Sequence, residues 1–171
     1  MNAKFSETIQ YFKTIAAQHV QIGHSLTEKH FYRFELEEIL SGLKDVNYPA
    51  LILEGYRYSL TDKQSDNVLK ERTGAFVLID HLSDRGDIDS MHEIWDNLES
   101  ICDDIVGRIK ADKRDPNMKQ VRDFDLNTIQ VALIANEHDL NYGIRCTFTL
   151  VSSMATDVDP DKWNLQADVP E

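Results

Sequence analysis

Between Tyr48 and Ser152 the chain passes through five patterned segments in a fixed order, and that order narrows the available folds more than any single motif does. Two apolar runs, Tyr48 to Tyr58 and Gly74 to His81, come first. An amphipathic stretch from Ser90 to Lys110 follows, and then two alternating runs, Thr128 to Ala135 and Ile144 to Ser152. Short apolar or alternating runs mark strands, whereas apolar residues recurring every three or four positions mark a helix. The order therefore predicts strand, strand, helix, strand, strand. That is an α+β domain: a mostly antiparallel four-stranded sheet packed by a long amphipathic helix, with N-terminal helices before it and an extended acidic C-terminal arm after it.

The central helix has the clearest pattern. Met91, Ile94, Leu98, Ile101, Ile105 and Ile109 step by three or four, while Glu93, Asp96, Glu99, Asp103 and Arg108 occupy the other faces. Ser90 and Glu93 read as a capping box. Upstream, the spacing predicts a helix over Ser6 to Val20, capped by Ser6, carrying Ile9, Phe12, Ile15, Ala16 and Val20 on one stripe and ended by Gly23. A shorter helix is expected over Arg33 to Leu43, and Pro49 disfavours helix at Tyr48. Thr61 to Arg72 is polar throughout and reads as a long loop or a protruding hairpin tip. Asp112 to Asp125 reads as a charged connector, and Asn136 to Gly143 as a hairpin loop with Asn141 and Gly143 as turn formers. Residues 1–153 thus form one domain, with a helical region over 1–47, and residues 154–171 an arm with Trp163 as its large apolar anchor.

The net charge of −12 is uneven, since residues 1–80 hold 9 basic and 11 acidic side chains and residues 81–171 hold 9 and 19. An acidic second half repels phosphate backbones, so direct nucleic-acid binding is disfavoured and basic protein partners are favoured. No apolar run reaches the roughly 20 residues of a membrane span, and the first residues lack a signal-peptide layout, which predicts an intracellular chain or a particle component made in a cytoplasm. Cys102 and Cys146 fall on apolar faces and are expected as buried free thiols.

Motifs for chemistry are weak. Asp84, Asp87 and Asp89, with Glu93, form the densest carboxylate cluster, which invites a divalent-metal hydrolase reading, but the spacing misses the EF-hand pattern and helix-start acids account for it. Arg85-Gly86-Asp87 spells an integrin-ligand tripeptide and reads as a strand-to-helix turn. The six histidines are dispersed, and His92-Glu93 lacks the second histidine of a zinc motif. Asp123, Asp125, Glu137 and Asp139 read as solvated loop charges. With no phosphate loop and no nucleophile elbow, the expectation is a chain that is not an enzyme and needs no cofactor or metal. What folding does not require is contact surface: Tyr56 and Tyr58 at a strand end, Lys63, Lys70 and Arg72 in the charged tip, and Trp163 in the tail.

The layout over Tyr48 to Ser153 resembles the tail-terminator and head-to-tail connector proteins of tailed bacteriophages and related contractile injection particles. The residues concerned are Tyr-Pro-Ala-Leu-Ile-Leu-Glu leading a strand, Gly-Ala-Phe-Val-Leu-Ile-Asp-His-Leu after a polar excursion, an acidic-capped helix with Trp95, and the closing Asn-Tyr-Gly-Ile-Arg-Cys-Thr-Phe-Thr-Leu. The resemblance implies a homo-oligomeric ring in the virion, assembled in the host bacterial cytoplasm. Its partners would be other copies of the chain and neighbouring neck, portal or tail-tube proteins. DNA would pass through the lumen only as cargo, and no membrane would be involved. The alternative from another class is a divalent-metal hydrolase using Asp84, Asp87 and Asp89, and a third is a bacterial adaptor that binds a basic partner through the acidic second half.

Overall fold

The structure, a computed structural model, describes residues 4–35, 37–38, 45–62 and 68–163. It is an α+β fold, and the described residues give two α-helices, α1 (Phe5–Gln18) and α2 (Ile88–Asp112), and six strands: β1 (Phe31–Tyr32), β2 (Ala50–Leu53), β3 (Arg57–Thr61), β4 (Val68–His81), β5 (Phe124–Asn136) and β6 (Asn141–Met154). The strands form one sheet in the order β1-β2-β4-β6-β5, with β3 also paired to β4. Most pairings are antiparallel, but β1 runs parallel to β2, so the sheet is mixed and six-stranded where four antiparallel strands were expected.

The two extra strands have physical causes. The apolar run from Tyr48 does not stay extended through Tyr58; it breaks over Glu54 to Tyr56, and the 14-residue β4 is long enough to pair with both halves. β2 lies against Phe76 to Ile79 and β3 against Leu69 to Thr73. The polar stretch from Thr61 to Arg72 is accordingly a hairpin whose second arm, from Val68, is already strand. β1 adds Phe31 and Tyr32 beside β2, where a helix had been expected to begin two residues later. Of that expected helix, Arg33 to Leu43, residues 36 and 39–43 lie outside the described residues.

Both helices pack on one face of the sheet. Tyr11, Phe12, Ile15 and Ala16 of α1 and Leu98, Ile101, Cys102, Ile105 and Ile109 of α2 meet Phe76, Leu78, Ile144, Cys146, Phe148 and Leu150 in a single core cluster. Phe12 lies at its centre, 5.4, 6.1 and 5.6 Å from the ring centroids of Phe76, Phe124 and Phe148. Fully burying each of these rings stabilises the fold by roughly 1.5–3 kcal/mol. Phe124 opens β5, inside what reads in sequence as a charged connector. A smaller cluster on the opposite face, Tyr32, Ala50, Ile52, Val77 and Ile79, lies under Phe34, Val46 and Tyr48.

Several local expectations are corrected. α1 starts one residue before Ser6; Lys4 is its N-cap, and the Lys4 backbone N–H donates to Glu7 Oε2 at 2.7 Å. It ends at Gln18, leaving Val20 exposed beyond the apolar stripe, and Gly23 follows with a left-handed φ of 63°. α2 starts at Ile88 because Asp87, not Ser90, is its cap: the Ser90 N–H and hydroxyl both donate to the Asp87 carboxylate, at 3.0 and 2.7 Å. The β5–β6 pairing runs on to Asn136 and Asn141, so Asn141 and Gly143 belong to a strand, and Leu140, with φ of 54°, makes the left-handed turn. No helix among the described residues is long and apolar enough to cross a membrane.

Candidate interaction surface

The order of strands puts β5 at one edge of the sheet; the other edge is β1, outside β2, at one end and β3, in line with β2 along β4, at the other. Among the described residues β5 pairs only with β6, β3 only with β4 and β1 only with β2. Side chains opposite one another in an antiparallel pair share a face. Tyr58 opposite Arg72, which is itself opposite Leu150, therefore lies on the helix-bearing face, as do Val131 opposite Cys146 and Leu133 opposite Ile144. Each edge thus shows two apolar side chains two residues apart on the same face. On β3, Tyr58 is 60 % and Leu60 49 % exposed; on β5, Val131 is 47 % and Leu133 58 % exposed.

The residues singled out from sequence separate into three groups. Tyr58 and Lys70 stay at the surface together, with the Lys70 ammonium 4.1 Å over the Tyr58 ring. Trp163 ends a short 3₁₀ turn, Pro160–Lys162, and is 63 % exposed. Tyr56 and Arg72 turn inward: Tyr56 packs edge-on against Phe5 with ring centroids 4.7 Å apart. The buried Arg72 guanidinium donates to Ser152 Oγ at 3.2 Å and lies 3.7 Å from Asp123. Their place in the structure is packing between β4, β6 and the loop before β5. Lys63 lies outside the described residues.

The carboxylates after β4 serve the helix start. Asp87 caps α2, and hydrogen bonds from the Ser90 hydroxyl and N–H hold its carboxyl below the usual carboxylate range. No group of three or more His, Cys, Asp or Glu side chains among the described residues is arranged to hold a metal ion. In the neighbouring turn Arg85 donates to the carbonyls of Glu137 and His138, at 3.4 and 3.1 Å, tying it to the β5–β6 loop. Cys102 and Cys146 are buried free thiols, and they share a hydrogen bond between α2 and β6 that, with burial, pushes the Cys146 thiol up.

Two features escaped sequence reasoning. Glu54, which looks like the end of an apolar run, is buried and takes a bidentate bond from Arg145, at 2.7 and 2.6 Å. The hydrogen bonds that Arg145 donates to Glu54 raise the Arg145 pKa, against the effect of burial. The other is the exposure of Val131 and Leu133, which alternate as a core face would. The available signal for this exposure is arithmetic on widths, because the two helices described are too few to roof a sheet five strands across. Comparison of the chain with family models, with curated proteins and with solved structures finds no match in any of the three.

Proposed function

We propose that this chain is a non-enzymatic structural subunit that closes into a homo-oligomeric ring at the neck or tail end of a tailed phage or related contractile injection particle, as a tail terminator or head-to-tail connector. The observation that carries the reading is the pair of unpaired sheet edges. β3 runs against β4, β4 against β6, and β6 against β5, so the two edge strands have opposite senses. When copies are set side by side in the sheet plane, β5 of one therefore meets β3 of the next as an antiparallel pair. Tyr58 and Leu60 are level with Leu150 and Ser152 of β6, and Val131 and Leu133 with Cys146 and Ile144, so the two pairs meet on a common face when the next copy is displaced by about six residues along the strands. Backbone groups left open at both edges then find partners.

The two joined surfaces differ, so the contact is heterologous, and a heterologous contact forms a ring where its rotation closes and an open filament where it does not; the ring is the form the resemblance implies. An acidic ring suits a conduit, since like charge keeps passing DNA from adhering. The virion setting rests on the resemblance of the Tyr48 to Ser153 layout. Its neighbours would be portal, neck or tail-tube proteins.

Light scattering on a size-exclusion eluate tests the assembly. A single closed oligomer is expected for the native chain, and the double variant Val131→Asp/Leu133→Asp is expected to run as a monomer with unchanged circular dichroism and cooperative melting. A native chain that remains monomeric at high concentration overturns the ring. Mass spectrometry of purified particles from the producing host tests the setting, and absence of the chain from them overturns it.

A further inference from the structure

The C-terminal arm leaves β6 as an acidic segment with exposed apolar side chains. Val158 and Trp163 stand out to solvent among Asp157, Asp159 and Asp161. Over residues 155–171 the sequence holds five acids and one basic residue, Lys162, which pairs with Asp159 at 2.8 Å. Trp163 remains largely exposed in the single chain, so its own fold does not cover it.

One surface of the molecule has the complementary chemistry. A groove of about 660 Å³ lies along one flank of α1, closed on its other side by the segment leading into β1, and its apolar base reaches the edge of the core at Ile9 and the buried Phe31. Ile9, Lys13 and Ala17 form one i, i+4 row along its floor. Leu26 and Phe31 add apolar wall, and Lys29 adds a second cation. None of the lining residues is acidic, a local inversion of sign in a chain of net charge −12. His24 in the same wall has its pKa lowered, first by burial and then by the Lys13 charge, in keeping with a positive local field.

We propose that the arm of one copy docks in the α1 groove of the next, with Val158 and Trp163 against Ile9, Ala17 and Phe31 and the arm's aspartates facing Lys13 and Lys29. The inference rests on the ring reading, in which every groove has exactly one neighbouring arm to receive. It adds a second contact between copies, made by the arm beside the edge pairing, and it assigns the basic groove to the chain itself.

The test uses the full chain with photoreactive p-benzoylphenylalanine in place of Val158, prepared in isotopically heavy and light forms that are mixed before irradiation. Expected are crosslinked peptides joining heavy and light chains, with the link in the stretch from Ile9 to Phe31. The yield should fall about tenfold in the Lys13→Glu/Lys29→Glu variant, since reversing two exposed ion pairs is worth about 1.4 kcal/mol. Asp157→Asn/Asp159→Asn/Asp161→Asn gives the same readout from the arm side, should the groove variant fold poorly. Links confined to one chain, links elsewhere, or yields indifferent to both variants overturn the inference. Light scattering on the same samples separates the two ideas: a ring without hybrid links sinks the arm contact alone, whereas a monomer sinks the ring.

Discussion

Arg145 and Glu54 meet across β4, between segments that never pair with each other. Glu54 is only 6 % exposed on its side chain and Arg145 29 %, so among the described residues the carboxylate depends on this guanidinium for its charge compensation. Removing one partner of a buried pair costs more than the pair contributes, because it strands a charge. Arg145→Met is therefore expected to lower stability by about 3 kcal/mol in urea unfolding. Glu54→Gln/Arg145→Met should lose less than that single change, giving a clear coupling energy in a double-mutant cycle. Asp80, near the end of β4, shows the opposite case. Burial raises its pKa, against a hydrogen bond from the His81 N–H at 2.8 Å. The folded state thus holds this proton more tightly than the unfolded chain does. Stability from Asp80 is complete below the unfolded value near 3.8 and is lost as pH rises through the higher folded value. Asp80→Asn should accordingly raise the Tm at pH 7, and the difference should shrink as the pH is brought down toward 4.

At the scale of elements, Gly143 shows why a strand position can read as a turn. A Cβ there would lie 2.6 Å from the Leu78 carbonyl oxygen and 3.2 Å from Ile134 Cγ1, so β6 can approach β4 at that point only as glycine. Gly143→Ala must push two central strands apart, and a loss of about 2 kcal/mol in chemical denaturation is expected. Glycine in sequence carries no mark that separates this steric role from a turn. α2 was legible because Leu98, Ile101, Ile105 and Ile109 repeat at one period, and the alternation at Ile144, Cys146, Phe148 and Leu150 identified the buried face of β6. The number of strands was not legible, because β1 and β3 are defined by partners far along the chain and not by a pattern of their own. The edges were hidden for the same reason. A helix is about 10 Å wide and strands lie about 4.8 Å apart, so two helices cover roughly four strands. Val131 and Leu133 carry a core alternation but sit on the strand left outside that cover. Among the candidate contact residues, Tyr58 and Trp163 were found at the surface, while Arg72, similar to Lys70 in sequence, was drawn inward by Ser152 and Asp123.

For the whole molecule, charge and edge chemistry act in opposite directions on assembly. Every copy carries −12, so copies brought together repel, whereas the proposed contact between Tyr58, Leu60, Val131 and Leu133 would be apolar and nearly indifferent to salt. The Debye length falls from about 30 Å at 0.01 M salt to about 3 Å at 1 M, which removes the repulsion before it touches the contact. Association of the native chain at pH 7 should therefore strengthen with added salt in sedimentation velocity, the reverse of an interface made mainly of ion pairs. The proposed arm contact would have the opposite slope, since salt weakens the attraction of the arm's aspartates to Lys13 and Lys29. Lys13→Glu/Lys29→Glu removes that attraction and adds negative charge, so its salt promotion should be steeper than that of the native chain. Near the sequence pI of about 4.8 the net charge vanishes, and the salt dependence due to repulsion should vanish with it. Association that weakens with salt at pH 7 in both proteins would show that charge pairing, and not the apolar edges, joins the copies.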